Sequence, residues 1–360
     1  MKTYYSILLG LFFYQPAIAQ NSRISNYSPD DLMFKEYNLK TGRHAPEQIK
    51  LPFASIAVMD SRYDTGKIGF VYSNTILDDG LTMYKKLRVK NGLKKSIENY
   101  YNRYYIHSFE KTNYTLLIDI KKFWLSSIGP EKKESQNIAE NINASAFLHL
   151  KIEFYLHKEG RYLPFKRIDT ILKTPHDILK NSDEEVQEYR SASLTDILNS
   201  FVEQYNFNKA IEVFDSRKKI SMPEILVLNN HRFSLNILKD SKRPDGIYMS
   251  FTEFVNNKPS IIHFKEMKMN YSNFKKEEYL TNENDSLINN YWAYSKNNIL
   301  KIGPFGNDKL IRAGNTFEFF KKVTIRDFNS VKLGAGTFNY KNKKETWVPY
   351  QVDMETGLIY

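Results

Sequence analysis

Two histidines and a glutamate recur at four-residue spacing in this 360-residue sequence, at His149, Glu153 and His157. These side chains are common zinc ligands, and on a helix this spacing would bring them together. However, apolar residues occupy every second position from Ala146 to Leu156, and this period of two predicts a strand. At about 3.3 Å per residue, neighbours in the set then lie about 13 Å apart and cannot share one ion. We therefore predict an exposed polar strand face without a metal site.

The sequence lacks the motifs by which many enzymes hold a nucleophile or a nucleotide. It contains no G-x-S-x-G elbow, no P-loop and no complete G-x-G-x-x-G, and Gly334-x-Gly336 lies among strand signals typical of a hairpin turn. We predict no catalytic residue, no cofactor and no metal. The alternative is a secreted hydrolase or carbohydrate-binding protein whose site forms only in three dimensions, because the separation of paired carboxylates is a spatial property.

A run of basic residues is the first of two candidate binding features. Six cations follow one another with no acidic residue between Asp79 and Glu98: Lys85, Lys86, Arg88, Lys90, Lys94 and Lys95. Such a run attracts an anionic surface or an acidic partner. The alternative, which we favour, is a solvated helix entry.

Aromatic residues are the second candidate. Tyr291, Trp292 and Tyr294 precede a turn predicted at 295–298. Aromatic rings beside a turn can form a platform for a sugar, but they also close β-sheet cores. We favour the core interpretation.

The first nineteen residues have the composition of a signal peptide. Lys2 provides a positive start, an apolar run follows from Tyr4 to Tyr14, and Ala17-Ile18-Ala19 matches a small-x-small cleavage site before Gln20. We predict an exported protein of the periplasm, with the outer-membrane periphery or the extracellular space as alternatives. The chain has no cysteine, which excludes disulfides and a lipid-modified cysteine.

The chain is basic, with 52 Lys and Arg against 41 Asp and Glu and a formal net charge of +11. Outside the cytosol, the polyanions that such a charge attracts are anionic lipid head groups and envelope polymers. We therefore expect an envelope protein, an anionic envelope polymer or a peripheral membrane contact as partner, and no nucleic acid. The sequence does not determine the oligomeric state.

Hydrophobic periodicity divides the mature chain into two predicted domains. After a polar entry segment at 20–50, we predict an α+β domain at 51–208, in which two helices that begin at Leu93 and Ser193 pack on a sheet. We predict a linker at 209–222 and a mainly-β domain, a sandwich or barrel, at 223–360. Strands of this second domain are expected at 225–228, 233–238, 248–254, 261–269, 299–302 and 316–325, and in the tail from Trp347.

Both predicted domains resemble groups of exported proteins. The first has Asp60-Ser61-Arg62 after its opening strand, then a helix, three strands and a closing helix; in this order it resembles the YajG-like and related transport-auxiliary lipoproteins of bacterial envelopes. Gln20 stands where those proteins usually carry a lipid-modified cysteine. The second resembles an uncharacterised module of exported Gram-negative proteins in the stretches 246–259, 292–298 and 350–357. The first resemblance implies a binding or assembly role, and neither resemblance implies a catalytic residue.

Overall fold

A computed structural model of the protein describes residues 34–37, 49–72, 84–126, 147–173, 199–200, 202–203, 205–272, 275–303, 308–333 and 336–360. The predicted signal peptide at 1–19, most of the entry segment at 20–50 and the predicted helix start at Ser193 lie outside the described residues.

An eight-stranded sheet organises the first part of the chain. Its strands are β1 (Phe34–Tyr37), β2 (Ser55–Asp60), β3 (Gly69–Tyr72), β4 (Tyr84–Val89), β5 (Thr115–Ser126), β6 (Phe147–Lys158), β7 (Arg161–Lys173) and β8 (Ile220–Ser221). They lie in the order β1-β4-β3-β5-β6-β7-β8, and β2 pairs in parallel with β5. A tight turn joins β6 to β7, with positive φ angles at Glu159 and Gly160.

Helices cover one face of this sheet. Helix α1 (Leu93–Tyr104) begins at the predicted residue and buries Leu93, Ile97 and Tyr101. The cover is extended by helix α2 (Phe207–Glu212) and by helical residues before it, at 199–200 and 202–203. Alternate residues of β5 and β6 complete this apolar core. The predicted packing of helices on a sheet is therefore present in this part of the chain.

Helix α3 (Met222–Arg232) occupies the place where the sequence predicted a strand at 225–228. The cause is a capping box: Ser221 Oγ accepts a hydrogen bond from the Glu224 N–H, and the Glu224 carboxylate accepts one from the Ser221 N–H. A four-residue apolar run is compatible with a strand or with a helix, and the capping box favours the helix. Helix α3 buries Ile225 and Asn229, one turn apart, against the sheet.

Replacing Ser221 with Ala is expected to lower the free energy of unfolding by about 1 kcal/mol, because a first-turn N–H of α3 loses its acceptor. Urea unfolding followed by circular dichroism measures the change. Ser216→Ala is the control, since the Ser216 hydroxyl is exposed and donates only to the Val213 carbonyl. Equal effects of the two changes would contradict a stabilising role for the cap.

The rest of the described chain is mainly β, as predicted. Its strands are β9 (Gly246–Tyr248), β10 (Lys265–Ser272), β11 (Lys275–Thr281), β12 (Leu287–Ile288), β13 (Ala293–Lys296), β14 (Ile299–Ile302), β15 (Asp308–Lys309), β16 (Ile311–Ala313), β17 (Thr316–Leu333) and β18 (Gly336–Gln351). They form small sheets in the orders β15-β14-β13-β9, β10-β11-β12 and β16-β17-β18.

Two further strand predictions are wrong in this part. Helix α4 (Asn236–Lys239) lies where a strand was predicted at 233–238. Helix α5 (Phe251–Val255) interrupts the strand predicted at 248–254, because Ser250 Oγ accepts a hydrogen bond from the Glu253 N–H and starts a helix.

The predicted linker at 209–222 contains packed structure. Ala210 and Phe214 are buried against Leu156 and Leu163, and β8 pairs with β7. The charged residues at 217–219 suggested a linker. However, Ala210 and Phe214 lie four residues apart, and they pack the segment before 217 on the sheet. The division into two domains stays a prediction.

Side chains from both predicted domains meet in one core. Phe70, Tyr84 and Trp124 of the large sheet pack in the same buried cluster as Trp292 and Tyr350. The C-terminal half of the chain thereby covers the sheet face opposite the helices α1 and α2.

Candidate functional site

The polar face predicted on β6 is largely covered rather than exposed, although His157 near its end is half-buried. His149 and Lys151 are only 7% and 8% exposed, and Glu153 is half-buried. The prediction failed because residues 353–360 and helix α3 cover this face. We call the charged groups between the sheet and this cover the ionic layer: Asp119, Lys121, Lys122, His149, Lys151, Glu153, Arg232, Asp353 and Glu355.

Asp353 fastens the C-terminal segment to the sheet. Its side chain is fully buried and forms an ion pair with Lys122 of β5. Thr356 Oγ1 donates a hydrogen bond to the same carboxylate at 2.8 Å, Tyr360 Oη donates at 3.2 Å, and the Glu355 N–H donates at 3.0 Å. Burial alone would raise the pKa of the Asp353 carboxyl, but the Lys122 ammonium and these donors hold it below its ordinary value.

Glu355 makes a second connection between the same layers. It pairs with Lys151 of β6, and Arg232 Nε of α3 donates to it at 2.6 Å. The Arg232 guanidinium also donates to the Ser61 carbonyl at 2.9 Å and to the Lys121 carbonyl at 3.1 Å. One arginine therefore joins α3, the sheet and the C-terminal segment.

Asp119 lies completely buried on β5. Asn229 Nδ2 donates at 2.9 Å to Asp119 Oδ2 and at 2.9 Å to Ser61 Oγ. Burial raises the pKa of the Asp119 carboxyl, although the hydrogen bonds from Asn229 and Ser61 oppose this shift. Lys121 lies 3.8 Å from Asp119 and pairs with Glu153.

His149 is a neutral base inside this layer. Its Nε2 lies 3.5 Å from Asp169 Oδ1, and its ring centroid lies 5.1 Å from that of Tyr360. Burial disfavours the charged imidazolium and, together with the Lys122 charge, lowers the pKa of His149 to about 4.

A cavity of about 30 Å³ adjoins the ionic layer and is lined by Lys122, Trp124, Asp353 and Tyr360, among others. This volume holds about one water molecule. The charged groups around it join the sheet to its cover.

The six predicted cations do not form one exposed surface. Lys86 is buried on β4, with its Nζ 5.2 Å from the ring centroid of Phe34. Arg88 is exposed on the same strand but donates to Glu36 at 2.8 Å. Lys85 is half-buried. Lys86 and Arg88 lie on the same face of β4, so their different exposure does not follow from the strand period of two.

The other three cations, Lys90, Lys94 and Lys95, are exposed around the start of α1. This helix begins without a side-chain cap and without an acidic residue in its first turn. Lys94 and Lys95 thus place positive charge at the positive end of the helix dipole, which costs about 0.3–1 kcal/mol for each charge. A cleft of about 280 Å³ opens beside them and is lined in part by Arg62, Lys67, Arg88 and Asn91.

The three aromatic residues lie in cores. Tyr291 is 8% exposed, Trp292 is 4% exposed and Tyr294 is fully buried. Trp292 packs on Phe254 with ring centroids 4.3 Å apart, and Tyr294 Oη donates to Glu266 at 2.8 Å. A sugar platform needs an exposed ring face, so this burial favours the core interpretation.

Within the stretches that the structure describes, no three His, Asp or Glu residues are arranged to hold a metal ion. In the same stretches, no helix is long and apolar enough to cross a membrane.

Sequence reasoning missed most of the ionic layer. Asp119 and Lys121 interrupt the apolar run of β5, and 350–357 was noted only for its resemblance to a module. Charged residues inside an otherwise apolar strand were the available signal, because a buried charge needs a partner.

Comparison with known proteins identifies weak structural likenesses. No protein-family model and no curated protein matches the chain. One similar solved structure is protein XCC0632 from Xanthomonas campestris, family-model DUF330, with 12% identity and a TM-score of 0.32 over 51% of this chain and 100% of that chain. Another is an uncharacterized protein with 10% identity and a TM-score of 0.28 over 48% of this chain and 99% of that chain. Likenesses of this size assign no function to the chain.

Proposed function

We propose that this protein is an exported, non-catalytic binding protein of the bacterial cell envelope that docks on an anionic surface. The observation that carries the proposal is the exposure of Lys90, Lys94 and Lys95 around the uncapped start of α1. A bound anion would relieve the repulsion between these lysines and the helix dipole.

The ionic layer supports a non-catalytic role. Lys122, Lys151 and Arg232 are each paired with a carboxylate of the C-terminal segment. These charged groups therefore hold the sheet to its cover.

The composition of residues 1–19 supports export, and the net charge of +11 supports an anionic partner. The proposal includes a cleaved signal peptide, a periplasmic location, and an α+β domain at 51–208 followed by a mainly-β domain at 223–360. The likeness to YajG-like lipoproteins stays a prediction.

Binding of the mature chain to vesicles of phosphatidylethanolamine and phosphatidylglycerol, measured by co-sedimentation, tests the proposal. The corner variant changes Lys85, Lys90, Lys94 and Lys95 to Gln; Lys86 is kept because it is buried. Four charges near an anionic surface contribute about 1 kcal/mol each, so we expect binding to fall at least about tenfold.

The control variant removes the same number of charges from exposed sites elsewhere, by changing Lys209, Lys218, Lys239 and Lys258 to Gln. Its binding is expected to stay closer to that of the wild type. The docking site is wrong if the corner and control variants bind equally, and the whole proposal fails if the wild type binds neither these vesicles nor an anionic envelope polysaccharide.

A further inference from the structure

The outer edge of β7 is open over most of its length in the part of the chain that the structure describes. Strand β8 pairs with this edge only at Arg161 and Tyr162, and no other described strand lies beside it. Strand β7 continues to Lys173. The edge of a sheet presents a row of N–H and C=O groups, and a strand from another chain can pair with them.

Two features limit the part of this edge that can accept a strand. Pro164 has no N–H to donate. The register between β6 and β7 shifts between Phe154 and Tyr155, next to Pro164, which marks an irregularity of the bulge type. Over 166–172 the pairing with β6 is regular. We call this segment, 166–172, the open edge.

The side chains of the open edge alternate between the two faces of the sheet. Ile168 and Leu172 are half-buried and pack against the core beneath the helices. Arg167 and Asp169 lie on the opposite face and form an ion pair at 3.3 Å, with side chains 53% and 45% exposed. This ion pair is therefore accessible to the charges of a partner strand.

A second copy of the chain fits the open edge, because this segment is complementary to itself in one register. When two identical strands pair antiparallel around a twofold axis perpendicular to the sheet, one residue lies opposite itself, and opposite side chains share a face. With Ile168 at the axis, Arg167 of each copy lies opposite Asp169 of the other. The charges around the axis then alternate in sign.

The neighbouring positions of the axis are less favourable. An axis at Arg167, at Asp169 or at Lys166 would place two like charges directly opposite each other, which is destabilising. An axis at Thr170 would leave Asp169 opposite the apolar Ile171. Of these positions, only the axis at Ile168 places both members of the ion pair opposite a charge of the other sign.

The axis at Ile168 also brings the two Ile168 side chains together on the face of the sheet that carries the helices. The apolar layer beneath the helices then continues from one copy to the other. We infer that two copies of this chain pair through the open edge of β7, around an axis at Ile168, and join their eight-stranded sheets into one. The inference is independent of the proposed binding to an anionic surface, because none of the lysines changed in the corner variant lies on β7.

Single-cysteine variants report the register directly, because the chain has no cysteine of its own. Opposite residues of an antiparallel pair have Cα atoms about 4.5–5.5 Å apart, a distance that a disulfide spans. We therefore expect Ile168→Cys to form an intermolecular disulfide when copper phenanthroline is added as the oxidant, as judged by non-reducing gel electrophoresis.

Lys166→Cys is the matched control for this cross-link. In the inferred dimer its two thiols lie on opposite sides of the axis, about 13 Å apart along the strands, so we expect disulfide formation at least about tenfold slower than for Ile168→Cys. Residue 166 of one copy lies opposite residue 170 of the other. A mixture of Lys166→Cys and Thr170→Cys copies is therefore expected to cross-link.

Charge substitutions test the complementarity of the edge. Arg167→Asp and Asp169→Arg each place like charges opposite each other in the homodimer, and we expect each to raise the dimer dissociation constant at least about tenfold in sedimentation velocity. An equal mixture of the two variants restores every pair of opposite charges and is expected to form a heterodimer. Arg217→Asp, at an exposed site outside the open edge, is the charge-matched control. Thermal unfolding verifies that each variant folds.

The inference is overturned if the wild type stays monomeric at every concentration measured. It is also overturned if the wild type dimerises but Ile168→Cys cross-links no faster than Lys166→Cys, or if Arg167→Asp dimerises as well as the wild type; the copies would then meet at another surface. None of these results bears on the proposed function, which the vesicle measurements test separately.

Discussion

Replacing Asp353 with Asn is expected to lower the free energy of unfolding by about 3–5 kcal/mol, the range for breaking one side of a buried ion pair. The substitution keeps the size of the side chain and removes its charge. Lys122, whose side chain is 12% exposed, then remains buried without its counter-charge. Equilibrium unfolding in urea at neutral pH measures the change.

Asp285→Asn is the matched control. Asp285 pairs with Lys265 at 2.7 Å, but these side chains are 72% and 53% exposed. Water screens an exposed pair, so we expect a change of about 0–1 kcal/mol. The double variant Asp353→Asn, Lys122→Met removes both buried charges and is expected to be more stable than Asp353→Asn alone. Equal stability of the single and double variants would contradict a dominant role for the uncompensated ammonium.

Acidification is expected to destabilise the protein through His149. Burial lowers the pKa of this imidazole from its ordinary value of about 6.5 to about 4 in the folded protein. The unfolded chain therefore binds the proton more readily, and stability falls as the pH decreases from about 6.5 toward 4. Because the folded and unfolded chains differ in their affinity for this proton, His149 is expected to lower the free energy of unfolding by about 2–3 kcal/mol between pH 7 and pH 4.5.

The variant His149→Gln isolates this contribution. Other groups with shifted pKa values, among them Asp119 and Glu355, are present in both proteins, so their effects largely cancel in the difference. We expect the variant to lose less stability than the wild type between pH 7 and pH 4.5. His263→Gln is the control, because the His263 side chain is 70% exposed. Parallel stability curves for wild type and His149→Gln would show that His149 is not responsible.

The local elements were predictable where one pattern dominated. The spacing of Leu93, Ile97 and Tyr101 predicted α1 from its first residue, and the period of two from 146 to 156 predicted β6. Both rest on interactions between near neighbours in the sequence. The strand predicted at 225–228 failed for the same kind of reason, since the capping box of Ser221 and Glu224 outweighs a short apolar run.

The ionic layer was not predictable from local pattern. Asp353 meets Lys122 across 231 positions of the sequence, and Glu355 meets Lys151 across 204. A strand with alternating residues specifies two faces, but it does not specify what covers each face. A polar strand face shows the same alternation of residue types whether it is open to solvent or covered by another segment. The burial of His149 therefore could not follow from the sequence of β6.

The sequence by itself determined the basic charge of the chain, its lack of cysteine, and the local periods that produce α1, β5, β6 and β7. The tertiary structure decided which charges are exposed. It buries Lys86, pairs Lys122 and Lys151 with C-terminal carboxylates, and leaves Lys90, Lys94 and Lys95 at the surface. The physical reason is that a charge enters the interior only where a partner from a distant segment compensates the lost hydration, and such partners are brought together only by the fold.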